Sequence, residues 1–97
     1  MIGDSVRTEA YKKAIFETVA GLVVVDVGAG TGILSIFAAE AGAKHVYAIE
    51  ASDIVKVCRD QVRSRGLNSK IEIIHAKAEE VPLLQKTADV MVSEWIW

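Results

Sequence analysis

The stretch LVVVDV (22–27) passes directly into GAGTG (28–32) and then into the apolar run ILSIFAAEA (33–41). A run of β-branched residues reads as a strand buried on both faces. A glycine turn and a helix straight after it make the start of a β–α crossover, and such a unit needs a parallel sheet to receive it.

The rest of the chain repeats the alternation. Residues 5–19 show helical spacing at Val6, Ala10, Ala14 and Ile15, with Asp4 or Ser5 placed to cap the start and Gly21 the end. HVYAIE (45–50) reads as a second strand. Ser52 is expected to cap a third helix with Ile54, Val55, Cys58 and Val62 on its apolar face, ended by Gly66. IEIIHA (71–76) reads as a third strand, residues around Glu79, Glu80 and Pro82 as a loop, and ADVMVS (88–93) as a fourth strand. The predicted fold class is α/β, a Rossmann-like parallel sheet with strand order 3-2-1-4. The fourth strand is then an edge, followed by Trp95, Ile96 and Trp97, and such an apolar edge invites association.

Composition sets the outer bounds. With 52% hydrophobic and 25% charged residues, the 97-residue chain can build a core, though a thin one. A net charge of −2 gives no footprint for nucleic acid and no polybasic patch for a membrane. A single cysteine excludes an internal disulfide framework and a cysteine-built zinc site. No secretory signal is visible in MIGDSVRTEAYKK, and the most apolar window, Leu22 to Ala41, is broken by Asp26, Glu40 and three glycines.

The chemistry concentrates at the glycine turn. Gly28 and Gly30 let a ligand lie against the main chain, and the helix behind them presents N–H groups at its start. Glu50, at the carboxyl end of the second strand, is placed to accept hydrogen bonds from both hydroxyls of a ribose. Dinucleotide sites want a third glycine where this chain has Ile33, while Gly32 falls one residue early. That favours a nucleoside without a pyrophosphate, and S-adenosylmethionine fits. A turn with an unrelated ligand or none, and a small NAD-binding module, stay open on this ground.

Five ordered stretches resemble the protein arginine methyltransferase family of class I methyltransferases. They are Asp4-Ser5-Val6-Arg7-Thr8-Glu9-Ala10-Tyr11, Val25 through Ser35, Val46 through Ser52, Ala78-Glu79-Glu80-Val81, and Ser93-Glu94-Trp95. The resemblance implies S-adenosyl-L-methionine as cofactor, a helix over residues 1–20 covering its site, and an incomplete cofactor domain over 21–97. It implies that Arg7 meets the cofactor's carboxylate and that Asp26 serves its amino group or orients the loop. It further implies that Gly28, Gly30, Thr31, Gly32, Ile33 and Leu34 form the cradle. Glu50 and Ala51 would hold the ribose, and Ala78 and Glu79 the adenine. Glu94 would be one of two glutamates gripping a substrate guanidinium.

The implied substrate is an arginine-bearing protein, histones among the class, in the nucleus or cytoplasm, with no direct nucleic acid, membrane or metal partner. The family continues S-E-W-M-G-Y where this sequence has Ile96-Trp97. The second glutamate, the β-barrel and the dimerisation arm would lie beyond residue 97. The expectation is therefore a cofactor-binding fragment that does not methylate arginine by itself. The alternative is a non-catalytic product that self-associates or pairs with a full-length relative through its last strand. Cys58 is expected as a buried, inert thiol, and His45 and His75 as structural residues.

Overall fold

The structure is a computed structural model that describes Lys13 and residues 17–92. Arg7, Glu94, Trp95, Trp97 and most of the expected first helix lie outside the described residues. Lys13, Glu17 and Thr18 are helical, as expected of that helix.

Four parallel strands form one sheet in the order β3-β2-β1-β4, as read from the alternation of strands and helices. They are β1 (Val23–Val27), β2 (His45–Glu50), β3 (Ile71–His75) and β4 (Val90–Val92). Asp26 sits beside Ala48 on one side and Val92 on the other. β1 is central, and its Val24, Val25 and Asp26 are wholly buried, which is why its sequence, Asp26 apart, is a run of valines rather than an alternating pattern.

Helix α1 (Ile33–Glu40) follows the glycine turn and buries Leu34, Ser35, Ile36, Ala38 and Ala39. Helix α2 (Val55–Ser64) buries one stripe of Val55, Cys58 and Val62 and leaves the rest wet. Helical spacing places Ile54 on that stripe too, but it is 39% exposed. It is the cap residue ahead of the helix and falls short of the packed face. The core joins Val19, Val24, Leu34, Ala38, Val46, Ala48, Cys58, Val62 and Ile71.

The segment expected as a loop is ordered into two short helices. Ala78–Glu80 forms a 3-10 turn closed by the Glu80 carboxylate, which accepts the Lys77 N–H at 2.7 Å. Pro82–Thr87 forms helix α3. Neither buries a residue, so no apolar stripe announces them. Pro82 at the start of α3 is the available signal, since proline is favoured where its missing N–H has no partner to lose. No helix among the described residues is long and apolar enough to cross a membrane.

Candidate cofactor-binding site

Parallel α/β sheets collect ligands at the carboxyl ends of their strands, where the loops open. A cleft of about 420 Å³ lies there. The end of β1 supplies Val27 and Gly28, the end of β2 supplies Ile49, Glu50 and Ala51, and the chain after β3 supplies Ala76 through Glu79. Gly28, Glu50, Ala51, Ala78 and Glu79, scattered over 52 positions of sequence, are thus brought to one cleft.

Glu50 is the hinge of this arrangement. Its Oε1 accepts the Gly30 N–H at 2.7 Å. Its Oε2 accepts the Ser52 N–H at 3.0 Å and the Ser52 hydroxyl at 2.8 Å. Burial works against its charge. The N–H of Ser52, the N–H of Gly30, the Ser52 hydroxyl and the N–H of Ala51 together outweigh that, so the carboxyl titrates below its ordinary 4.5. A carboxyl held below its unfolded value stabilises the fold at higher pH, and that contribution is lost as pH falls through the folded value. The thermal-stability gap between the wild type and Glu50→Gln is therefore expected to be flat at neutral pH. It should close on acidification below about pH 4.5. Melting curves across that range measure it, and a gap that widens in acid would contradict the assignment.

The glycine turn departs from its expected role in one respect. The N–H groups of Gly28 and Ala29 both donate to the Ile49 carbonyl at 2.9 Å, and that of Gly32 donates to the Ala29 carbonyl. With Gly30 held by Glu50, four amides of the turn are committed to the protein itself. The cradle thus presents shape and a rigid main chain, not a ring of open donors. The first helical bond to close runs from the Ile36 N–H to the Gly32 carbonyl, which leaves the N–H groups of Ile33, Leu34 and Ser35 as the open start of α1.

The remaining predicted residues have distinct placements. Asp26 is wholly buried beneath the turn and accepts the Ser35 hydroxyl at 2.7 Å. Leu34 belongs to the core, so only its main chain can face a ligand. Ile33 is 46% exposed at the start of α1, and Thr31 is half-buried in the turn. Gly32 backs onto α2, where an added Cβ would stand 2.9 Å from the Cys58 sulfur. Cys58 is buried, and desolvation, with the charges of Asp26 and Glu50 behind it, pushes its thiol up to about 11, as suits an inert residue.

Three supporting residues are not evident from the sequence. Ser52, expected as a helix cap, gives its hydroxyl to Glu50 and receives the Ile54 N–H only at 3.4 Å. Gln85 reaches back from α3 to the Ala78 carbonyl. The Val81 N–H meets the same carbonyl, so a ligand at Ala78 finds the N–H. His75 places Nε2 3.1 Å from the Ala51 carbonyl and so braces the cleft rim. A serine two residues after a strand-end acid is a recognisable local bonding pattern. The Gln85 and His75 contacts span 7 and 24 residues and leave no local trace.

A family model described as "Methyltransferase domain" matches residues 24–97. This chain belongs to the methyltransferase domain family. The methyltransferase domain is 48% identical over 99 aligned residues to the probable protein arginine N-methyltransferase 6 of Arabidopsis thaliana, covering 99% of this chain and 22% of that protein. It superposes on the crystal structure of Arabidopsis thaliana protein arginine methyltransferase 10 with a TM-score of 0.85. The identity there is 40%, over 98% of this chain and 28% of the other. A crystal structure of PRMT6 with SAH gives a TM-score of 0.82 and 36% identity, over 92% of this chain and 31% of that one. The resemblance read from the five ordered motifs is borne out. The domain spans about a quarter of the length of the relatives it matches.

Proposed function

We propose that this methyltransferase domain holds S-adenosyl-L-methionine in the cleft at the strand ends, as the cofactor-binding part of a protein arginine N-methyltransferase. The observation that carries the reading is the Glu50 carboxylate, anchored to the glycine turn at 2.7 Å and lining the same cleft as Ala78 and Glu79. The cleft volume lies within the range of nucleoside and cofactor sites. Bound S-adenosylmethionine supplies a methyl group on a positively charged sulfur.

Glu50 accepts the ribose hydroxyls. A carboxylate has about four acceptor positions, and three are already filled by Gly30 and Ser52. A diol needs two, so the rotatable Ser52 hydroxyl gives way while both N–H anchors stay. The Ala78 N–H donates to an acceptor on the adenine edge, and the Glu79 carboxylate accepts from its amino group. The open amides at the start of α1 face the carboxylate end, and the family resemblance assigns Arg7 to the same group. Glu94 takes one side of the substrate guanidinium.

On these roles the cleft accounts for binding, while transfer to arginine needs a second carboxylate beside Glu94 on the guanidinium, a role assigned to none of these residues. Calorimetry of the purified chain against S-adenosylmethionine, S-adenosylhomocysteine and NAD, side by side, tests the binding half. Heat from the first two and none from NAD is expected. A folded sample silent at millimolar S-adenosylmethionine would overturn the reading, and heat from NAD alone would replace it with a dinucleotide module. Incubation with methyl-labelled cofactor and an arginine-rich histone-tail peptide tests the second half. No label on the peptide is expected, and labelled arginine would show that transfer does not need a second carboxylate.

A further inference from the structure

A separate cleft, of about 280 Å³, opens between α2 and the outer side of β3 and is lined by Arg59, Val62, Arg63, Asn68, Ile71 and Ile73. It shares no residue with the cofactor site. Among the described residues β3 pairs with β2 alone, so its other side is a free sheet edge. The Lys70 carbonyl and the Ala76 N–H both bond to β2. In a parallel ladder the residues that face the partner alternate, so Ile71, Ile73 and His75 turn their main-chain groups outward. The Ile71 N–H is already taken by the Leu67 carbonyl. Beside the cleft the edge presents the Ile71 carbonyl and both main-chain groups of Ile73, with those of His75 beyond them.

The charge beside this edge is lopsided. Five of the eleven basic residues fall within residues 56–70, with Asp60 the one acid among them, although the chain as a whole carries −2. Arg59 and Arg63 are both exposed. Arg63 gives one N–H to Asp60 at 2.7 Å and keeps others, since a guanidinium has five. Arg59 has no ion-pair partner among the described residues. Val62 and Ile71 are buried and Ile73 is half-buried, giving an apolar floor. The spacing of the two arginines is specific: four residues of helix advance about 6 Å, and alternate residues of a strand are about 6.6 Å apart.

We propose that the free edge of β3 accepts an extended acidic segment of a partner protein, of pattern acidic-x-acidic. The segment pairs its main chain with Ile71 and Ile73 and sets its two carboxylates on Arg59 and Arg63. Main-chain pairing holds the segment, and the alternate side chains select it. Guanidinium–carboxylate forks set its register.

The test is fluorescence anisotropy of the whole 97-residue chain with a labelled hexapeptide, TEVEVT. TKVKVT and a six-nucleotide oligouridylate serve as competing ligand classes. Amide exchange is followed by NMR in the same samples. TEVEVT is expected to bind with Kd below about 1 mM and to slow exchange at Ile73. TKVKVT should not bind. The double variant R59E/R63E should bind TEVEVT at least about tenfold more weakly, with its calorimetric response to S-adenosylmethionine unchanged as the sign of an intact fold. Equal binding of TEVEVT and TKVKVT, tighter binding of the oligouridylate, wild-type affinity in R59E/R63E, or unprotected Ile73 at saturation would each overturn the proposal.

Discussion

Glu50→Ala is expected to raise the Kd for S-adenosylmethionine about 10- to 150-fold, which is the roughly 1.5–3 kcal/mol of a hydrogen bond to a charged acceptor. The size follows from two jobs done by one carboxylate. It is the acceptor for the ribose, and it ties the Gly30 N–H and the Ser52 turn to the end of β2. Alanine removes both. Glu50→Gln separates them in part, because its remaining oxygen can still accept one N–H while its amide nitrogen meets a donor where an acceptor is required. The expected order of affinity is wild type, then Gln, then Ala. Exchange at the Gly30 amide, followed by NMR without ligand, reports the anchoring job alone. If Glu50→Ala exposes the Gly30 amide yet binds the cofactor as the wild type does, the carboxylate only braces the loop and the ribose assignment fails. If neither quantity moves, the site lies elsewhere.

Much of the fold is legible in the sequence because its signals are local and redundant. LVVVDV, HVYAIE and IEIIHA are short β-branched or alternating runs, and these three strands form within one residue of the expected ends, while the fourth starts at Val90, two residues after its expected start. Their order across the sheet follows from the handedness of crossovers, which leaves few choices once strands and helices alternate. The position of Glu50 is legible for the same reason, since the end of a strand next to β1 must face the glycine turn. Contacts between distant segments are not legible. That Glu50 holds Gly30 depends on a side-chain torsion, and that Gln85 fixes the Ala78 carbonyl depends on a helix too short and too exposed to leave a periodic pattern. The turn's amides are expected from sequence to serve a ligand, and most serve the protein. Composition and spacing show that a main chain is accessible, and only the folded geometry shows where its donors point.

Gly32 carries the second large effect, for a reason distinct from ligand approach. Gly32→Ala is expected to destabilise the fold by about 2–5 kcal/mol, measured by urea unfolding. Its φ of +91° lies in the left-handed region, where a Cβ costs about 1–2 kcal/mol. The added Cβ would also stand 2.9 Å from the Cys58 sulfur and 3.8 Å from its Cα. Cys58 is wholly buried on the packed stripe of α2, so the sulfur has no open side to move toward, and overpacking of this kind costs about 1–3 kcal/mol more. Gly66 is the internal control. Its φ is +69°, but a Cβ there meets nothing within 4 Å, so Gly66→Ala is expected to show the backbone strain without the collision. The collision itself is isolated by a double-mutant cycle with Cys58→Ala, which removes the sulfur and leaves the backbone angle untouched. Gly32→Ala should cost at least about 1 kcal/mol less in that background. Strict additivity would mean that α1 and α2 do not meet through this pair. The glycine would then have to be explained by the ligand, with cofactor affinity rather than stability as the quantity that falls.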